Sequence, residues 1–455
     1  MSRLFTIHPL QAYRRVRRTG QLRASPPVVL AGSFLALTLL GTLLLLLPAA
    51  QAQPIGVFQA LFTAASAVTV TGLMVIDPAQ ALTPFGKAVV LGLVQVGGIG
   101  FVTFAIIASV TLGKRVSLKY QALALEAFNQ TSVARIRQTA LTVLKFSVII
   151  EGAAVLILTL WWWRHNSLHD AFFMAGFHAI SAFNNAGIAL FKDSLGGFVG
   201  DPVTIFVMTG CIILGGLGFS VLADIYHKRA WQTLAYYTRL MLIGTLILNL
   251  CALLLFWLIE SQNPATLAAL PLPSQGLASW AQVISARTAG FSAMDADQMR
   301  DSSRFLLIAL MFIGGGSLST ASGIKLGTFI VLLAVMRTYI LQRKEVVLMG
   351  RTIPPEAIHK ALALMMMSGL LVCVGIFIVS LLENLPFIAV VTEVMSAFST
   401  TGLSPDLTPK LGLPSQIVLM LLMFIGRLGP LTLVYNLGTR AHSRIRYPDA
   451  QVQIG

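Results

Sequence analysis

The chain has 455 residues, 56% of them hydrophobic and only 11% charged, with a mean hydropathy of +0.81. Soluble domains carry about a quarter charged residues, so a soluble globule is excluded. The net charge of +15 sits beside apolar runs and forms no aromatic-interleaved patch, which excludes a nucleic-acid partner as its meaning.

In chain order, a basic N-terminal segment (1–27) precedes apolar runs at 28–47, 89–112, 141–163, 203–221, 240–259, 305–335, 362–382 and 417–437. Each approaches or exceeds the roughly 20 residues a helix needs to cross a bilayer, and none has the dyad alternation of a membrane β-barrel. An all-α polytopic membrane protein with eight transmembrane spans is expected. The first run, followed by Ala50-Gln51-Ala52, resembles a secretory signal, but its apolar core exceeds the roughly 7–15 residues of a signal and is read as a span. Most of the 32 Lys and Arg fall before the first run or after the second, fourth, sixth and eighth, which places both termini in the cytoplasm. Cys211, Cys251 and Cys373 lie inside apolar runs at spacings that suit neither a metal nor a disulfide framework. Core packing is their expected role.

After each odd-numbered run comes a half-length apolar stretch, at 57–68, 170–183, 277–286 and 387–398. Each leads into a segment that begins Ser-Ala and ends in Gly, from Ser66 to Gly72, Ser181 to Gly187, Ser285 to Gly290 and Ser396 to Gly402. These glycines recur about every 110 residues, the mark of a tandem repeat. A second landmark follows in each copy: Gly97-Gly98-Ile99-Gly100, Gly215-Gly216-Leu217-Gly218, Gly314-Gly315-Gly316 and Gly426-Arg427-Leu428-Gly429. The repeating unit is span, half-helix, glycine segment, span, over 28–112, 141–226, 227–336 and 361–437. Linkers at 113–140 and 337–360 and a tail at 438–455 complete the chain. Half-helices of about 12 residues are too short to cross at 1.5 Å per residue, so they enter from outside and turn back. Irregular backbone at membrane depth must face protein or water, so four such segments want one shared axis with fourfold pseudosymmetry.

A ring of backbone carbonyls can replace the hydration shell of a monovalent cation. Glycine turns those carbonyls at little cost, because it reaches positive φ without a Cβ clash. The half-helices aim their negative C-terminal ends at the same place. The candidate filter comprises Thr69, Val70, Thr71 and Gly72; Asn184, Asn185, Ala186 and Gly187; Thr288, Ala289 and Gly290; and Ser399, Thr400, Thr401 and Gly402. It contains no carboxylate, which argues against a divalent-cation pore. Asp77, Asp193, Asp295 and Asp406 lie a few residues beyond each glycine. They either concentrate cations at the mouth or are four solvated loop acids with no shared role.

With one such glycine in each of four span–half-helix–span units, the chain resembles the Trk/Ktr/HKT superfamily of potassium transporters over nearly its whole length. Its length, eight runs and short basic N-terminus are most similar to the bacterial Ktr membrane subunit, since Trk-type subunits usually carry two more N-terminal spans. The resemblance implies potassium uptake across the bacterial cytoplasmic membrane, often stimulated by sodium, with no organic cofactor in this chain. It also implies a homodimer seated on a cytosolic ring of nucleotide-binding regulatory domains. The family's filter glycines carry over onto Gly72, Gly187, Gly290 and Gly402, whose carbonyls would hold potassium. In plant relatives serine at the first position accompanies sodium transport, so Gly72 favours potassium. The third copy departs from the pattern: Arg287 stands where the others have Thr69, Asn184 and Ser399, and its Ser–Gly spacing is one residue shorter. Arg287 is expected to brace the filter from behind.

The sixth run is interrupted by Gly314, Gly315, Gly316, Ser317, Leu318, Ser319, Thr320, Ala321, Ser322, Gly323, Ile324 and Lys325. Helix propensity is poor throughout, and a mid-span break follows. In the resembled family the corresponding stretch is an intramembrane loop that obstructs the pore, and 314–325 is read as a gate. A small-residue packing face is the blander alternative. Arg427, inside the eighth run, is a functional candidate by its depth, and the resembled proteins place an arginine there, facing the pore. It is expected to form an electrostatic barrier below the filter, with Glu393 a candidate partner and Glu151 unassigned. The basic stretches at 114–137 and 440–455 are candidate docking surfaces for a partner chain or for anionic membrane lipid.

Two other functional classes fit the sequence less well. Another monovalent-cation secondary transporter or a sodium channel would also use broken helices, although transporters usually carry inverted repeats and these units all begin on one side. A membrane-embedded enzyme would have to use His178 with Asn184-Asn185, or the Gly97–Gly100 turn. No nucleophile, base or metal cluster accompanies the first, and the second lies within an apolar run, where glycines read as close helix packing.

Overall fold

A computed structural model describes residues 26–100 and 133–429. Most of the expected basic N-terminus, most of the first linker and the whole tail lie outside the described residues, as do both candidate docking stretches apart from 133–137. Unit 1 contains α1 (Pro26–Leu45), α2 (Val57–Thr69) and α3 (Pro84–Ile99). Unit 2 contains α4 (Val133–Trp162), α5 (Leu168–Phe183), α6 (Pro202–Leu217) and α7 (Phe219–Lys228). Unit 3 contains α8 (Tyr236–Glu260), α9 (Leu272–Ala286), α10 (Asp301–Phe312) and α11 (Leu326–Ile340), and unit 4 contains α12 (Pro355–Leu382), α13 (Phe387–Ser399) and α14 (Leu413–Leu428). The four half-helices stand at the four predicted stretches. Only α9 starts clearly earlier, because Pro273 in its first turn supplies the fixed φ that suits a helix start.

In every unit the half-helix packs against both of its own spans. Each second span then packs on the half-helix of the next unit: α3 on α5, α6 on α9, α10 on α13, and α14 back on α2. That last contact closes the chain of units into a ring. The last turns of the half-helices are wholly buried, with small residues such as Ala64, Ala67, Ala179, Ala182, Ala281, Ala286 and Ala397 at the contacts. Small side chains let helix backbones approach closely.

Polar clamps join the two spans of a unit at the end where the half-helices begin. Glu260 at the end of α8 accepts hydrogen bonds from Thr266 Oγ1 (2.7 Å) and from Ser303 on α10. Glu383 after α12 accepts from Gly412 N and Ser415 Oγ, both at 2.7 Å, at the start of α14. Asp201 caps α6 and accepts from Trp161 Nε1 of α4 at 2.9 Å. In unit 1, Thr83 caps α3 and donates to Ala49 O at 2.6 Å.

The second spans differ from expectation. Among the described residues, three helices are long and apolar enough to cross a membrane alone, and α6 with α7 makes a fourth that bends by 96°. The run read at 203–221 is interrupted at Gly218, and the helices that begin the runs read at 89–112 and 417–437 end at the corresponding Gly100 and Gly429, where the described residues stop. Gly100, Gly218 and Gly429 adopt one conformation, with φ of 90°, 102° and 85°, a region open to glycine and strained for other residues. In unit 3 the corresponding position is Ser317, and the break widens into the loop. Two further departures are smaller. Cys251 and Cys373 are exposed on the outer faces of α8 and α12, and only Cys211 is buried. Those faces also carry Leu250, Leu254, Phe377 and Leu381, as suits helices whose solvent is hydrocarbon. The linker after α11 holds a two-stranded hairpin, β1 (Val347–Leu348) and β2 (Arg351–Thr352), whose Leu348 O accepts from Tyr236 Oη at 2.8 Å.

Candidate functional site

The four glycine segments meet. A Cβ placed on Gly72 would lie 2.1 Å from Ala186 O, one on Gly187 2.4 Å from Ala289 O, one on Gly290 2.1 Å from Thr401 O, and one on Gly402 2.3 Å from Thr71 O. Each glycine is thus walled by the residue preceding the next unit's glycine, and the fourth returns to the first. All four have positive φ: 89°, 65°, 83° and 92°. The residue two before each, Val70, Asn185, Thr288 or Thr400, is also left-handed, at 58°, 59°, 69° and 49°. Left-handed backbone at a β-branched residue is costly and is kept where surrounding structure imposes it.

The amides of these segments face backwards into their own half-helices. Thr71 N, Ala186 N, Ala289 N and Thr401 N bond to the carbonyls of Ser66, Ser181, Ser285 and Ser396, at 2.8, 2.8, 2.9 and 2.9 Å. Gly72 N and Gly402 N donate to Ser66 Oγ and Ser396 Oγ, at 3.0 and 2.9 Å. In unit 3, one residue shorter, Gly290 N bonds to Ser285 O at 3.1 Å. The carbonyls have no such partners: none of those at 70–72, 185–187, 288–290 or 400–402 accepts a hydrogen bond from a described residue. The Thr288 and Thr400 hydroxyls are buried and unpartnered as well. Backbone carbonyls inside a protein nearly always find a partner in protein or water, so a ring of carbonyls with no protein donor fits a stripped cation. The four serines were present in the repeat but not singled out; their constancy as the first residue of each copy was the available signal.

The residue three before each glycine divides the ring. Thr69 bonds to Ala65 O (2.7 Å) and to Thr71 Oγ1 (2.8 Å), and Ser399 does the same with Met395 O and Thr401 Oγ1, both at 2.7 Å. Asn184 also bonds within its own half-helix, to Ile180 O at 2.9 Å, but adds donations to Gln95 Oε1 of α3 at 2.7 Å and to Glu151 Oε1 of α4 at 3.3 Å, while Gln95 Nε2 donates to both Glu151 oxygens at 3.0 Å. Arg287 donates to Asn249 Oδ1 of α8 at 2.8 Å and to Gly314 O at 3.3 Å. Arg287 therefore does sit behind the third segment, and Glu151 acquires partners in Gln95 and Asn184.

The loop at 314–325 is tied at both ends. Gly314 N bonds to Ile324 O at 2.8 Å and Leu326 N to Gly315 O at 2.9 Å. Its middle rests on the broken second span of unit 2, through Gly316 N to Gly216 O (2.8 Å), Thr320 N to Gly215 O (3.2 Å) and Phe219 N to Leu318 O (2.9 Å). Ser317 N donates to Tyr237 Oη (2.7 Å), Ser319 Oγ to Gly316 O (2.7 Å) and Lys325 Nζ to Ala321 O (2.6 Å). Thr320 Oγ1 donates to Phe183 O, at the end of α5, at 3.1 Å.

Arg427 spans from unit 4 to the loop and to unit 1. Its Nη1 donates to Thr320 O and to Ser322 Oγ (3.3 Å), and its Nη2 to Gly97 O (2.6 Å) and Gly98 O (3.1 Å). Glu393 is not its partner. That carboxylate, in the middle of α13, accepts from Thr408 on the segment that leads to α14, at the opposite end of α14 from Arg427. Around Arg427 lies a cavity of about 280 Å³ lined by Gly98, Gly100, Ser322, Lys325 and Gly429 among others.

Asp77, Asp193, Asp295 and Asp406 are all exposed, and Asp77 and Asp295 cap short helices. His178 bonds to Met174 O (2.8 Å), accepts from Leu190 N (3.1 Å) and stacks on Phe191 at 4.3 Å. Gly97 is a close-packing position as read, and Gly215 and Gly426 are equivalent to it: a Cβ on each would lie 2.0 Å or less from Val68 O, Phe183 O and Phe398 O, near the half-helix ends.

The model of the TrkH family, described as a cation transport protein, matches residues 5–438. The chain is 43% identical over 434 residues to the Ktr system potassium uptake protein B of Bacillus subtilis, covering 95% of this chain and 98% of that one. It is 39% identical to the protein of the same name from Vibrio alginolyticus, over 96% and 97%. Its identity to the potassium/sodium uptake protein NtpJ of Enterococcus hirae is 32%, over 97% and 99%. The crystal structure of the potassium transporter TrkH from Vibrio parahaemolyticus shares the fold, with a TM-score of 0.73 at 18% identity, over 94% of this chain and 88% of that one. This membrane protein belongs to the TrkH family of cation transport proteins.

Proposed function

We propose that the chain carries potassium into the bacterial cell through the ring formed by Gly72, Gly187, Gly290, Gly402 and the residues before them. The loop at 314–325 and Arg427 act as the gate beneath it. The observation that carries the reading is the closed ring of carbonyls without hydrogen-bond partners among the described residues, in which the carbonyl before each glycine is wedged against the preceding unit's glycine. Relatives named as potassium uptake proteins of Ktr systems, aligned over nearly their full length, supply the cargo. On this reading the four units surround one pore, cross the membrane eight times and leave both termini in the cytoplasm. A homodimer on a cytosolic nucleotide-binding ring belongs to the same proposal, as does stimulation by sodium, towards which the name of the Enterococcus relative points.

Rubidium and potassium uptake, with and without sodium, in cells lacking their own potassium uptake tests this. Gly72→Ala, Gly187→Ala, Gly290→Ala and Gly402→Ala each force a Cβ against a neighbouring carbonyl from a left-handed backbone. Each is expected to lower uptake by about tenfold or more, as befits a loss above about 1.4 kcal/mol of ion stabilisation. Four alanine variants that reach the membrane and transport at the wild-type rate would remove the ring from the mechanism.

A further inference from the structure

The four segments of the ring are not supported alike. In units 1 and 4 the hydroxyls of Thr69 and Ser399, the last residues of their half-helices, bond only within their own half-helix and segment. In units 2 and 3 the support comes from elsewhere, and in both it includes the intramembrane loop. Thr320 Oγ1, in the middle of the loop, donates to Phe183 O, the last carbonyl of α5 and the neighbour of Asn184. Arg287, the residue before Thr288, donates through Nη2 to Gly314 O, the first carbonyl of the loop. We propose that the loop is part of the filter's mounting, with Thr320 and Arg287 as positioning residues through which its seating sets the spacing of the second and third segments, and so which cation the ring accepts.

The proposal deepens the filter reading above and rests on it. Carbonyl coordination discriminates ions through the number, placement and stiffness of the oxygens, and a site displaced by about half an ångström is already a different site. The Thr320 contact has no slack. A Cβ on Gly215 would lie 1.9 Å from Phe183 O and 2.9 Å from Thr320 Oγ1, so loop, half-helix end and second span of unit 2 are stacked without a gap. Arg287 is 9% exposed, has no carboxylate partner among the described residues and keeps a buried, unpartnered Nε. If the loop withdrew, its guanidinium would lose one of its two hydrogen-bond acceptors, and a buried donor so orphaned drags its surroundings towards a new partner. The residue it would drag is Thr288. Withdrawal would likewise free Phe183 O and loosen the turn that carries Asn184 and Asn185. The glycine segments of units 1 and 4 have no direct hydrogen bond to the loop, which reaches those units only through Arg427 of α14, so the second and third segments feel its withdrawal first.

The experiment compares initial rates of sodium and rubidium uptake, measured separately, for the full chain reconstituted in liposomes. Thr320→Val keeps the shape and removes the donor, Thr320→Ser restores a hydroxyl, and Arg287→Lys keeps the charge while giving up the two-armed geometry. The sodium-to-rubidium ratio is expected to rise roughly threefold to tenfold in Thr320→Val, the span of one lost hydrogen bond, and to return towards wild type in Thr320→Ser. Arg287→Lys is expected to move the ratio in the same direction, and it decides the question if Thr320→Val does not fold. An unchanged ratio, whatever happens to the absolute rates, overturns the proposal, because a merely structural role lowers both ions together. A wild-type chain that passes neither ion overturns instead the filter reading and this inference with it.

Discussion

Two guanidinium groups lie inside this molecule with no carboxylate within reach among the described residues, and both are held by neutral oxygens. Arg427 takes three backbone carbonyls and one hydroxyl from two different units, so it pins the loop to the first landmark as well as placing a charge beside the cavity. Such charge-assisted bonds are strong individually, at about 1.5–3 kcal/mol each. Arg427→Ala is therefore expected to raise the basal flux of rubidium several-fold by freeing the loop and removing the charge. Flux at or below the wild-type level from a folded variant, measured in liposomes without any partner chain, would assign the arginine to scaffolding. Its importance was legible from depth alone, since an arginine in an apolar run demands an explanation. Its partners were not, because Thr320 and Gly97 are distant in sequence and a carbonyl acceptor leaves no mark on residue type. Glu393 looked eligible for the opposite reason: charge suggests pairing, whereas burial beside Thr408 supplies a hydroxyl instead.

The element that sequence reasoning placed best is the half-helix with its glycine segment, and the one whose course it missed is the second span of unit 2, which bends at Gly218. Both carry glycine. In the half-helix units, four copies of one motif at one spacing overdetermined the answer. In the second spans a Gly-Gly-x-Gly run inside apolar sequence fits either close packing or a break, and it turns out to be both. The first glycine admits the half-helix end, and the last turns the chain. Gly218 shows why this matters, since its φ is 102° and a Cβ there would lie 2.5 Å from Ser317 O of the loop. Gly218→Ala is expected to cost about 1–3 kcal/mol and to unseat the loop. The check is a lower midpoint in thermal unfolding of the detergent-solubilised protein, together with a higher basal rubidium flux. A variant as stable as wild type, with unaltered flux, would mean that the bend tolerates a side chain.

For the molecule as a whole, hydropathy read the membrane correctly but assigned the wrong surroundings to two cysteines. In water an apolar residue is hidden by protein; in a bilayer the outer faces of α8 and α12 are apolar and bare, and Cys251 and Cys373 lie on them. A water-soluble maleimide is expected to leave Cys211, Cys251 and Cys373 unmodified in sealed vesicles and to label all three after unfolding in detergent. Labelling of Cys251 or Cys373 in the intact bilayer, read by mass spectrometry, would contradict their placement against lipid. The ring itself was anticipated from the argument that irregular backbone must avoid lipid. Its uneven support was not, because four copies of one motif suggest four equal parts, and only long-range contacts distinguish them.

The mutual wedging of the glycine segments has a consequence for how such a protein can be cut or built. Every copy borrows one wall from its successor, and the last borrows from the first, so no copy is a finished object. A fragment holding only the first two copies would end in two raw edges and should seek a complementary half, whereas a circularly permuted gene that opens the chain between copies should still assemble the same ring.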